Sequence, residues 1–65
     1  MNRLMKIGDL VKTIAGTNHL GKVGIVIDAE SRWPNEPRED EMIFEVLYPD
    51  GALVTWDGRN LEVVN

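Results

Sequence analysis

Two apolar runs, Met42–Tyr48 (MIFEVLY) and Ala52–Trp56 (ALVTW), are separated only by Pro49-Asp50-Gly51. Proline presets φ and glycine accepts positive φ, so these three residues read as a tight turn. Two strands joined so closely lie antiparallel, because a parallel pair needs a crossover of a dozen residues or more. Strand alternation puts Phe44, Val46 and Tyr48 on one face and Ile43, Glu45 and Leu47 on the other. It also puts Trp56 on a face with Val54 and Ala52, which reads as core.

The rest of the chain follows this hairpin. Gly8-Asp9 reads as a turn into a strand over Leu10–Ile14, and Ala15–Lys22 (AGTNHLGK) as a loop. Val23–Asp28 (VGIVID) is the strongest strand. Its continuous Ile25, Val26 and Ile27 predict burial on both faces, and Gly24 within it predicts a bulge or a close backbone approach. Asp57–Asn60 suits a single 3₁₀ turn, and Leu61–Val64 a final strand. Met1–Met5 reads as a loose N-terminus. Residues 29–41 (AESRWPNEPREDE) form a long polar loop, since Pro34 and Pro37 exclude a regular helix or a central strand. With no helical period, the reading is all-β: five short strands in one small domain spanning 1–65. A barrel limits exposed edges in so short a chain.

A chain of 65 residues buries only about 60% of its unfolded surface, so its stability is marginal. It has no cysteine and one histidine, which gives neither a disulfide nor a structural zinc site. No apolar run approaches the roughly 20 residues that span a membrane, and no secretory leader opens the chain. The expected setting is the cytoplasm or a particle, without a membrane partner. The apolar fraction of 43% is enough for a small core.

The formal net charge of -4 is unevenly spread. Residues 1–27 carry Arg3, Lys6, Lys12 and Lys22 against Asp9, whereas residues 28–65 carry ten acids against Arg32, Arg38 and Arg59. An acidic domain repels nucleic-acid phosphate, which disfavours nucleic acid as the partner. A face built from Lys6, Lys12 and Lys22 is the alternative that would reverse this.

The order of these motifs resembles that of SH3-like barrels, including the KOW and Tudor-like groups, over about residues 6–64. The residues that carry it are Gly8-Asp9-Leu10-Val11, Gly21-Lys22-Val23-Gly24-Ile25-Val26, Tyr48-Pro49-Asp50-Gly51, Trp56 and Asn60-Leu61-Glu62-Val63. Within that superfold the chain looks most like the short stand-alone SH3-like proteins of tailed bacteriophage genomes. The resemblance implies a five-stranded barrel with a 3₁₀ turn before its last strand. It also implies a viral source, with the protein in the host cytoplasm or the virion. A KOW-type likeness implies contacts near transcription or translation, although those modules are typically basic.

Catalysis finds little footing. His19 lies in a Gly-rich loop with no readable orienting partner, and reads as a surface residue. Glu39, Asp40 and Glu41 lack the spacing of a calcium loop and read as solvated; no metal or cofactor is expected. The Gly16–Lys22 segment lacks the order of a phosphate-binding loop. The sharper candidates are Arg32, Trp33 and Arg38, which can form one binding patch on the polar loop; Trp and Arg are enriched at interface hot spots. Trp33 can equally fold back over an open end of the barrel. Tyr48 and Trp56 flank the hairpin and either line a groove or seal the core. The leading expectation is a non-enzymatic module that binds another protein, as a virion accessory part or a modulator of host machinery. A KOW-like nucleic-acid module is the alternative, and self-association through a strand edge is a third class.

Overall fold

The computed structural model describes residues 5–31 and 42–64. It is all-β. Five strands, β1 (Leu10–Thr13), β2 (Val23–Glu30), β3 (Ile43–Leu47), β4 (Leu53–Asp57) and β5 (Leu61–Val63), form one antiparallel sheet. The order across the sheet is β4-β3-β2-β1-β5, so β4 and β5 are its edges and the sheet is open. A 3₁₀ turn, Gly58–Asn60, joins the two edges. It is held at both ends: Gly58 N–H donates to Met42 O, and Ile14 N–H donates to Asn60 O.

β2 is the spine. Its first residues pair with β1, through Leu10↔Ile25 and Lys12↔Val23. From Ile25 to Glu30 it pairs with β3, with a register shift between Val26 and Asp28. β2 therefore runs two residues further than Val23–Asp28, into the segment read as polar loop, because Ala29 and Glu30 find partners in Phe44 and Ile43. The hairpin between β3 and β4 closes as the turn chemistry dictates: Gly51 N–H donates to Tyr48 O, and Tyr48 N–H donates to Ala52 O.

One face of the sheet makes the core. Val11, Val26, Phe44, Val46, Tyr48 and Leu61 are buried there, with Val54 and Trp56 packed against them. Alternation on β3 holds as read, with Phe44, Val46 and Tyr48 inward. Two readings need correction. β2 is not buried on both faces: Val26 faces the core, while Ile25 and Ile27 are exposed, because nothing among the described residues covers the outer face of the sheet. Met5 is not part of a loose terminus; it is buried in the core cluster.

Gly24 is the predicted close approach, and the bulge lies further along β2. A Cβ on Gly24 would stand 2.5 Å from Val46 Cγ1 and 2.7 Å from Leu47 O. The missing side chain thus lets β2 cross tightly under the inward residues of β3.

Candidate functional site

Of the candidate residues, Lys6, Lys12, Lys22 and Tyr48 are described. Arg32, Trp33 and Arg38 lie outside the described residues. Tyr48 is 2% exposed, so its ring serves the core. The three lysines occupy different settings. Lys6 precedes β1 and its Nζ is 3.3 Å from Oδ1 of the buried Asp9. Lys12 lies within β1 on the outer face, opposite Glu62 of β5. Lys22 stands at the far end of β1, where its carbonyl accepts from Thr13 N–H.

Two arrangements emerge in their place. The first is a polar cluster around Tyr48. Its hydroxyl accepts a hydrogen bond from Trp56 Nε1–H at 2.8 Å and shares another with the hydroxyl of the fully buried Thr13 at 2.5 Å. The His19 ring stacks on the Tyr48 ring, with centroids 4.3 Å apart and planes 26° from parallel. His19 takes φ 61°, a left-handed backbone that is uncommon outside glycine, and its side chain lies back on Tyr48. It is therefore not the surface residue its loop suggests. His19 Nε2 meets Asp50 Oδ2 at 3.3 Å, while Nδ1 is buried without a hydrogen-bond partner. Asp50 Oδ1 accepts from Ala52 N–H at 3.0 Å. That backbone bond is the main cause holding the Asp50 carboxyl below its ordinary value, and the His19 contact adds to it.

Beside this cluster runs a shallow groove of about 350 Å³, lined by Lys22, Val23, Tyr48, Pro49 and Asp50. Two of its polar side chains are engaged from behind, Tyr48 by Thr13 and Trp56 and Asp50 by His19 and the Ala52 N–H.

The second arrangement is on the outer face. Leu10, Ile25, Leu47 and Leu53 are successive register partners across β1, β2, β3 and β4. Val64, whose N–H donates to Leu10 O, continues the same row on the β5 side. All five are exposed, at 42%, 36%, 37%, 55% and 45% respectively. Direct cross-strand partners have Cβ atoms about 4.5–5.5 Å apart, so the five side chains form one continuous apolar ridge. Val23 and Ile27, also exposed, flank it.

Single-strand alternation marks Leu47 as outward but cannot show that its neighbours are outward and apolar too. That depends on register between strands distant in sequence. The signal available in the sequence was the apolar residue at outward positions of each strand in turn.

No family model, no curated protein and no solved structure matches this chain.

Proposed function

We propose that this chain is a non-enzymatic protein-binding module built as a small SH3-like barrel. The observation that carries the binding role is the apolar ridge Val64–Leu10–Ile25–Leu47–Leu53 on the solvent side of the sheet. Exposed apolar residues scattered singly are ordinary. A contiguous patch rimmed by polar residues marks an interaction surface. Five register neighbours across all the strands are contiguous by construction.

The SH3-like reading draws support from connectivity. β1 lies between β2 and β5, so the first and last strands are neighbours. β2 is shared between β1 and β3 and shifts register midway, which allows one sheet to curl on itself. A one-turn 3₁₀ element precedes the closing strand. The likeness to stand-alone phage barrels keeps two settings in view, a virion accessory part and a modulator of host machinery. Both ask the protein to bind another protein.

The test is affinity capture from source-cell lysate on immobilised domain, with and without nuclease, comparing wild type with Leu53→Asp. Leu53 is on the edge strand and the most exposed member of the ridge, so its replacement leaves the fold intact by circular dichroism. A protein retained after nuclease by wild type and lost with Leu53→Asp is the expected result. Recovery that vanishes with nuclease, or that is equal on both matrices, overturns the reading.

A further inference from the structure

We infer that the outer sheet face takes a basic, apolar polypeptide segment, so that the partner of the proposed module is a basic protein. The inference rests on the protein-binding reading and adds the chemistry of the occupant.

The ridge divides a face of unequal charge. On one side of it the next outward row is Asp28, Glu45 and Thr55 across β2, β3 and β4. Beyond that come Glu30, Ile43 and Asp57. On the other side the outward row is Glu62, Lys12 and Val23 across β5, β1 and β2. The face is therefore acidic along one flank, apolar through the middle and mixed beyond.

Asp28 and Glu45 are direct cross-strand partners. Like charges directly opposite one another destabilise a strand pair. This like-charged pair sits right beside the exposed ridge, with Asp28 Oδ1 also accepting from Ala29 N–H at 3.0 Å. A segment that lays apolar side chains on Leu10, Ile25, Leu47 and Leu53, and Lys or Arg over Asp28, Glu45 and Glu30, buries the first set. It also cancels the repulsion in the second.

Other occupants fit less well. A neutral or acidic apolar segment fills the ridge but covers the flanking carboxylates without supplying a counter-charge, Asp28 keeping a backbone partner there in the Ala29 N–H at 3.0 Å. A second copy packed face to face with its two-fold axis along the strands sets acidic row on acidic row. With the axis along the ridge, Asp28 and Glu45 meet a row whose charges are Lys12 and Glu62, and the acids stay in excess. Nucleic-acid phosphate is repelled by the same flank.

The experiment uses the full chain and three short synthetic peptides: an amphipathic Leu/Lys peptide, its Leu/Glu counterpart, and a Ser/Lys peptide of equal charge. Binding is followed by calorimetry. The Leu/Lys peptide alone should bind, and high salt should weaken it because the flank is exposed. Asp28→Asn with Glu45→Gln should weaken it by about tenfold, equivalent to about 1.4 kcal/mol. The same double variant should raise the thermal midpoint of the free protein, since it removes the repulsive pair. This opposite movement separates a binding role from a structural one.

Equal binding of the Leu/Lys and Leu/Glu peptides overturns the basic-partner inference while leaving the protein-binding reading intact. So does a double variant that binds as wild type. A free protein that sedimentation shows to be dimeric, and that Leu53→Asp makes monomeric, replaces the basic segment with a second copy. Binding that rises when residues 32–41 are exchanged for a Gly/Ser linker assigns the face to the chain's own loop and overturns the inference.

Discussion

Tyr48 shows what a single hydroxyl does in a core this small. Thr13 is fully buried and Trp56 is half-buried, and the Tyr48 oxygen meets polar groups of both. Tyr48→Phe preserves the packing but strands those groups, so unfolding in urea should show a loss of about 1–3 kcal/mol, the cost of a buried unsatisfied polar group. Gly16 supports the same cluster. Its φ is 128°, and a Cβ there would stand 2.5 Å from Trp56 Cη2 and clash with the ring. Gly24→Ala should cost about 1–3 kcal/mol by overpacking against Val46 and the Leu47 carbonyl. The Asp50 carboxyl is held low chiefly by the Ala52 N–H, with His19 assisting. Its folded pKa lies below its unfolded one, so its contribution to stability is present above the unfolded value and fades as pH falls through the folded one. Thermal midpoints measured below pH 4 should therefore fall less steeply in Asp50→Asn than in wild type. The sequence alone made His19 a surface residue and left Tyr48 between groove and core. The reason is physical: stacking and shared hydroxyl bonds join residues 13, 19, 48 and 56, which come from β1, the loop after it, the hairpin turn and β4.

At the scale of elements, every strand was legible, because period-two alternation and the Gly and Pro turns sit where strands begin and end. The hairpin β3–β4 was read to within one residue at each strand end. β2 was the element misjudged in character. Its Ile-Val-Ile run looks like a doubly buried strand, yet Val26 is 1% exposed and Ile27 39%. A run of apolar residues reports β propensity and cannot say whether a second layer covers the outer side. The asymmetry is measurable. Val26→Ala should cost about 2 kcal/mol, as core truncation does. Ile27→Ala should cost well under half of that, in keeping with a surface position. Equal costs would mean that the outer face of β2 is covered in solution.

For the whole molecule, the open sheet has one face committed to the core and the other left with an apolar ridge and an acidic flank. The candidate site was the least legible part. Arg32, Trp33 and Arg38 stood out by residue type in the polar loop and lie outside the described residues. The ridge residues stood out in no single strand, and became a surface only when register aligned them. Asp28, Glu30 and Glu45 collect on one flank of that ridge, again through register between β2 and β3. The claim that this outer face is where the protein meets its partner is tested most directly by titrating the isotope-labelled chain with the Leu/Lys peptide and following amide and methyl resonances. The account predicts shifts concentrated at Leu10, Ile25, Leu47, Leu53 and the Asp28–Glu45 pair, with His19, Tyr48 and Asp50 unmoved. Shifts gathered around the His19–Tyr48–Asp50 groove, with the ridge silent, would contradict it.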